Sequence, residues 1–263
     1  MAQPIQGNAR RQRRRFAPTS GRASDAQSSE WLWGWHAVIA ALENPARAQP
    51  KRLLATAERA RTIQQRLGDL PWLEVVAAAT ISELTPRGAV HQGLALRAAP
   101  IEATPLAQLA EPPGGLLVML DHVTDPQNVG AIFRSAAAFG SRGVIVQDRH
   151  APALAGVTAK AAAGAIDLLP HARVVNLTRT LDALTDLGWR AVGLAREAAE
   201  PLDAVLAGRP VVLVLGSEGE GLRRLVGEHC DVLAKIAMPG GFESLNVAAA
   251  AAVALYEATR PRG

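Results

Sequence analysis

Three segments of the chain combine residue types that could bind and activate a substrate. The first is Asp121-His122-Val123-Thr124-Asp125-Pro126-Gln127-Asn128-Val129-Gly130-Ala131-Ile132-Phe133-Arg134. It reads as a strand end, a turn set by Asp125-Pro126 and a helix beginning near Asn128. Asn128 has the side chain of a helix cap, and capping alone would account for it. Arg134 is less ordinary. It stands among Ile132, Phe133, Ala136, Ala137 and Ala138, so it is either a surface arginine or a guanidinium that points into a site rather than out to water. The second segment, Val211 to Leu222, is an apolar strand running into Gly216-Ser217-Glu218-Gly219-Glu220-Gly221. Glycines there let a backbone approach a ligand closely. No Gly-Lys-Ser/Thr follows, so it is not a P-loop, and Arg224 stands where a dinucleotide fingerprint needs its third glycine. The third segment, Ile236-Ala237-Met238-Pro239-Gly240-Gly241-Phe242-Glu243-Ser244-Leu245-Asn246-Val247, is another strand-to-loop-to-helix passage, in which Ser244 is suited to cap the last helix.

Elements of alternating type must position these segments. Buried-type strands are expected at Leu116–Leu120, Gly143–Val146, Trp189–Leu194 and Val211–Leu215. Helices are expected at Asn128–Phe139, Val157–Ala165 and Ser244–Thr259. Strands alternating with helices indicate a mostly parallel sheet, whose carboxyl edge is where α/β proteins place ligands. Upstream, a small α/β unit is expected over residues 29–105. Its helices are read at Ala37–Leu42 and Glu58–Leu67, the latter stopped by Gly68, and its strands at Arg52–Ala55, Glu74–Ala78 and Gly93–Leu96. Residues 106–114, with Pro112-Pro113-Gly114, read as a linker to the larger α/β domain at 115–263.

Residues 1–28 are rich in Gln, Ser, Gly and Arg and nearly empty of large aliphatics, so they read as a disordered tail. Arg10, Arg11, Arg13, Arg14 and Arg15 form its charge block, either a solvated tail or an arm for RNA phosphates. With 28 Lys and Arg against 24 Asp and Glu, the excess is only +4, but it suits a polyanionic partner. The single cysteine, Cys230, excludes an internal disulfide framework and a multi-cysteine metal site. With no apolar run long enough to span a bilayer, the expected address is the cytoplasm, without a membrane partner.

In their order, the three segments resemble the signature motifs of the SpoU (TrmH) family of RNA 2′-O-methyltransferases. Asn128 and Arg134 match the first motif and Gly216-Ser217-Glu218-Gly219 the second. Ile236-Ala237-Met238-Pro239 and Ser244-Leu245-Asn246-Val247 match the third. Trp33-Gly34-Trp35-His36-Ala37-Val38 and His91-Gln92-Gly93 are similar to the start and end of the family's N-terminal substrate-binding domain. The likeness covers about Trp31 to Arg260, with departures at Trp33 and Ala248, where tyrosine and serine are common.

The resemblance implies a small α/β RNA-binding domain followed by an α/β domain with a deep trefoil knot, of the SPOUT type. It implies a homodimer with cofactor sites near the subunit interface. The activity implied is transfer of a methyl group from S-adenosylmethionine to a ribose 2′-hydroxyl of structured RNA. The RNA would be ribosomal, at a guanosine of the 23S rRNA, with transfer RNA as the alternative. Gly216, Ile236, Leu245 and Met238 would hold the cofactor. Arg134 would activate the hydroxyl, with Asn128, Glu218, Ser244 and Asn246 positioning it and the loops, and Glu218 alternatively fixing Arg134. No metal is expected. A catalytically silent RNA-binding relative and an unrelated nucleotide-binding α/β enzyme are the competing readings.

Overall fold

A computed structural model describes residues 30–48, 52–206, 210–241 and 243–260. The arginines at 10–15, expected to contact RNA, lie outside the described residues.

The N-terminal unit comprises β1 (Glu30–Trp33), α1 (Trp35–Glu43), β2 (Arg52–Ala55), α2 (Ala57–Leu67), β3 (Leu73–Val75), α3 (Ala78–Leu84) and β4 (Leu94–Ala98). Its sheet runs β1-β4-β2-β3, with β4 antiparallel to both neighbours and β3 parallel to β2. Gly68 ends α2 as expected, its N–H donating to the Gln64 carbonyl. The strand expected through Ala78 stops at Val75 and Ala78 opens α3, because the run Ala77-Ala78-Ala79 prefers helix.

The larger unit comprises α4 (Leu106–Ala110), β5 (Leu116–Leu120), α5 (Pro126–Ala138), β6 (Gly143–Gln147), α6 (Gly156–Ala162), α7 (Ala165–Leu168), β7 (His171–Val174), α8 (Leu177–Asp186) and β8 (Arg190–Leu194). It continues with β9 (Glu200–Pro201), α9 (Leu202–Val205), β10 (Val211–Leu215), α10 (Arg224–Glu228), β11 (Val232–Lys235) and α11 (Val247–Thr259). The sheet order is β7-β6-β5-β10-β8-β11-β9 and every pairing in it is parallel. Every residue of β5, β6 and β10 is buried, as a parallel sheet covered on both faces requires. Alternate side chains of each strand point to opposite faces. Leu116, Val118, Leu213 and Leu215 thus join the layer of α5, α6 and α11, and Leu117, Met119, Val212 and Val214 join that of α4 and α8.

Two further expectations need correction. The segment read as a linker holds α4, with Leu109 and Ala110 buried and the Trp189 indole N–H donating to the Ala110 carbonyl at 2.9 Å. Leu106 and Leu109 are three residues apart, enough to give even this short helix an apolar side. The single helix expected over 157–165 breaks at Ala163 and Gly164, both at positive φ. A Cβ at Gly164 would lie 3.0 Å from the His36 carbonyl of α1, so the chain turns where the N-terminal unit crosses it.

The two units are pinned together by an ion pair. Arg47 meets Asp167 at 2.7 Å, with both side chains only 3% exposed, and also donates to the Ala99 carbonyl. Removing one partner of a buried pair strands the other charge. Asp167→Ala is therefore expected to lower the unfolding free energy by about 3–5 kcal/mol, read by denaturant titration. A change below about 1 kcal/mol would mean that the pair behaves as a surface contact.

Candidate active site

The strands β10, β8 and β11 lie side by side. The loops leaving their carboxyl ends enclose a cleft of about 740 Å3, within the size range of small-molecule sites. Gly216, Ile236, Met238 and Leu245 all line it, as do Glu218, Ser244 and Asn246.

Gly216 is indispensable to this shape. A Cβ there would collide with the backbone of Gly221 and Leu222. The loop closes on itself instead, with Ser217 and Gly221 each donating a backbone N–H to the other's carbonyl at 3.0 Å. Asp121, at the end of β5, grips both ends of this loop. Its own N–H donates to the Leu215 carbonyl at 2.8 Å. Its buried carboxylate accepts from the Arg223 backbone N–H at 2.9 Å and from the Arg223 guanidinium at 2.6 Å.

Glu218 is the hub on one side of the cleft. Its Oε1 accepts from the Asn128 amide at 3.1 Å, from the Val247 N–H at 3.4 Å and from the Asn246 amide, which also donates to Asn128 Oδ1 at 3.0 Å. The three sequence motifs therefore meet in one hydrogen-bonded node. Asn128 is buried inside the first turn of α5 and does not cap it. The cap is Asp125, whose side chain accepts from the Gln127 N–H, with Pro126 in the first turn, a position where its missing N–H is not needed. Likewise Asn246, not Ser244, caps α11 by accepting from the Ala248 and Ala249 N–H groups. Ser244 is exposed at the cleft.

Arg134 is exposed, without a hydrogen bond or ion pair among the described residues. It neither points into a buried site nor is held by Glu218. The buried side of α5 carries Asn128, Val129, Ile132, Phe133 and Ala136. Arg134 falls on the opposite side with Gln127 and Ala138, as 3.6-residue periodicity dictates.

The sequence reading missed one wall of the cleft, Leu194-Ala195-Arg196-Glu197 after β8. The available signal was its place at a strand's carboxyl end. Outside the cleft lining, the His122 backbone lies at positive φ and its ring is 4.6 Å from that of His150. Burial and the nearby Arg223 lower the pKa of His122. Cys230 offers no nucleophile, since burial pushes its thiol up to about 12.

The charge of the cleft limits what it can hold. Glu197, Glu218, Glu220 and Glu243 line it against the cations Arg196 and Lys235. Such a lining opposes a polyphosphate and suits a ligand carrying positive charge. Ile236, Met238 and a 41%-exposed Leu245 supply apolar surface for a flat ring.

Comparison with known proteins agrees with this geometry. Residues 115–256 match the SpoU rRNA Methylase family. The chain is 41% identical over 253 residues to the 23S rRNA (guanosine-2′-O-)-methyltransferase RlmB of Xylella fastidiosa, covering 90% of this chain and 98% of that protein. It is 45% identical over 177 residues to an uncharacterised tRNA/rRNA methyltransferase of Mycobacterium avium, covering 66% of this chain but only 57% of that longer protein. The crystal structure of the SpoU methyltransferase AviRb from Streptomyces viridochromogenes with the cofactor AdoMet superposes with a TM-score of 0.74 at 26% identity, covering 88% of this chain and 89% of that one. The chain belongs to the SpoU family of RNA methylases.

Proposed function

We propose that this protein transfers the methyl group of S-adenosylmethionine to a ribose 2′-hydroxyl of 23S rRNA, at a guanosine. The observation that carries the reading is the carboxylate-lined cleft abutting the Asn128–Glu218–Asn246 node, in a chain that aligns with nearly the whole of an RlmB protein. Bound there, the cofactor would supply a methyl group already activated by its sulfonium, open to in-line displacement. The protein's task is alignment. The loop closed at Gly216 shapes one wall and Ile236, Met238 and Leu245 the other. Glu218 fixes Asn128 and Asn246, and so the start of α11 beside the cleft. Arg134 cannot serve as a base, since guanidinium keeps its proton up to a pKa above about 12. It stabilises the negative charge developing on the 2′-oxygen.

Because Arg134 faces outward, its target must reach it from outside the protomer. This fits a homodimer in which the site is completed at the interface. The exposed face of α11 offers an apolar surface for such pairing, with Val253 43% and Tyr256 56% exposed. Tyr256→Asp is expected to give a monomer by light scattering and to reduce methylation with it; an unchanged dimer would place the interface elsewhere. The trefoil knot and the cytoplasmic address belong to the same proposal; no described helix is long and apolar enough to cross a membrane.

The test supplies labelled S-adenosylmethionine with unmodified 23S rRNA transcripts or transfer RNA and maps alkali-resistant riboses. Methylation of one guanosine in 23S rRNA is the expected result. Methylation of transfer RNA alone would move the substrate. Cofactor binding without methylation of either RNA would make the protein a silent relative.

A further inference from the structure

The junction of the two units holds a second group of chemically active side chains that the methyl-transfer reading leaves unused. Gln92 sits at its centre, on a loop of the N-terminal unit, with φ at 56. A non-glycine residue holds such a backbone only where its surroundings fix it. Its side-chain oxygen accepts from the Trp35 backbone N–H at 2.9 Å and from the Lys160 ammonium at 2.9 Å. Its backbone carbonyl accepts from Arg59 Nε at 3.1 Å, and the Arg59 guanidinium lies 5.2 Å from the centre of the Trp35 ring. Gly34 leaves the space that Lys160 occupies, since a Cβ there would overlap the lysine side chain. Two cations, one from each unit, are thus gathered around one neutral residue.

Elsewhere along this junction a cation receives a carboxylate, as Arg47 receives Asp167. Lys160 and Arg59 receive only the two oxygens of Gln92. Neither has an ion-pair partner among the described residues. Lys160 is half-buried, and the pKa of its ammonium is lowered by that burial alone, with no nearby carboxylate opposing it. A simple latch between the units would need no charge on either donor. Both side chains keep N–H donors beyond the one each uses on Gln92. Two preset cations without a counter-charge are the components of an anion site, and the fork of a stacked guanidinium matches phosphate geometry.

We propose that Arg59 and Lys160 jointly hold a backbone phosphate of the RNA at the junction of the two units, with Trp35 and Gln92 presetting them. The proposal rests on the RNA-methyltransferase reading and adds to it where the substrate is gripped. Its placement is apt. Gly130 of α5 packs directly against Ala161 of α6. The helices α5, which carries Arg134, and α6, which carries Lys160, therefore pack in one layer. A grip spanning both units would also couple RNA binding to their docking.

The experiment measures binding of 23S rRNA transcripts to the full chain by fluorescence anisotropy across a salt series, with inorganic phosphate as a competitor. Lys160→Gln and Arg59→Gln are each expected to weaken RNA binding about 3- to 10-fold at low salt and to lower the slope of log K against log salt by about 0.7–0.9. Lys160→Arg should keep the slope. Affinity for S-adenosylmethionine, measured by calorimetry, should stay within about twofold of the parent. Gln92→Ala, which cuts the latch but leaves both charges, separates the roles. A latch alone would lower thermal stability in all these variants and leave every salt slope unchanged, which would overturn the proposal. Slopes unchanged in both Gln variants while the parent binds RNA would overturn it also. Competition by inorganic phosphate as strong as that by RNA would make this a free-phosphate site and remove the RNA assignment. Failure of the parent to methylate any RNA would instead count against the function, whatever the slopes.

Discussion

Replacing Arg134 by alanine is expected to slow single-turnover methyl transfer by about 100- to 1,000-fold, the scale seen when one donor to a developing oxyanion is removed. Affinity for S-adenosylmethionine should not change, because Arg134 does not line the cleft. The exposure of the residue makes the experiment clean: no buried contact is lost, so folding is unaffected. Arg134→Lys keeps the charge but not the planar fork and should recover little of the rate. Rates with saturating RNA and cofactor report the chemical step, and calorimetry reports cofactor affinity. Single-turnover methylation by the alanine variant within threefold or so of the parent would make Arg134 an ordinary surface side chain.

The second large effect is expected from Gly216→Ala. The added methyl meets the backbone of Gly221 and Leu222 rather than a movable side chain, so the loop must open and lose its paired Ser217 and Gly221 hydrogen bonds. Affinity for S-adenosylmethionine should fall about 100-fold or more, which corresponds to about 2.7 kcal/mol. Gly219→Ala is the internal control. Nothing lies near its added Cβ, but its φ of 84 disfavours a side chain. It should lose about 1–2 kcal/mol of loop stability and much less affinity. Equal cofactor affinities for the Gly216 variant and the parent would show that the closed loop does not shape the cofactor site.

The parts legible in the sequence were those with short-range causes. Apolar runs flanked by Gly and Pro marked β5, β6 and β10, and the four residues that the motif resemblance singled out for the cofactor, Gly216, Ile236, Met238 and Leu245, all line one cleft. The helix caps were misassigned because several capping side chains stood within three residues of each start. Pro126 at the first turn was the deciding signal for Asp125, and its meaning is positional rather than compositional. The two readings of Arg134 stayed open because apolar neighbours in sequence are not neighbours in space: Ala138 is exposed with it, while Ile132 and Phe133 turn inward. The role of the Leu194–Glu197 wall, marked in sequence only by its place at a strand's carboxyl end, and the Asp121–Arg223 grip were not legible for another reason. Both depend on which strands lie side by side, and the contact between Asp121 and Arg223 spans 102 positions.

The strand order β7-β6-β5-β10-β8-β11-β9 also governs how the molecule is made. The middle strand, β10, is supplied late in the chain, after the strands on both its sides, β5 and β8, have been synthesised. Until it inserts, β5 and β8 each present an open row of backbone donors and acceptors beside apolar side chains, and β11, made later still, has yet to join β8. Such edges invite pairing with other chains, and the closure of so long a loop is slow. The nascent protein is therefore most vulnerable to aggregation in the interval before residue 215 emerges. Because loops of β8, β10 and β11 form the cleft together, ligand binding begins only once β10 has inserted and β11 has joined β8. A ligand that binds only the assembled sheet then draws the folding equilibrium forward by mass action.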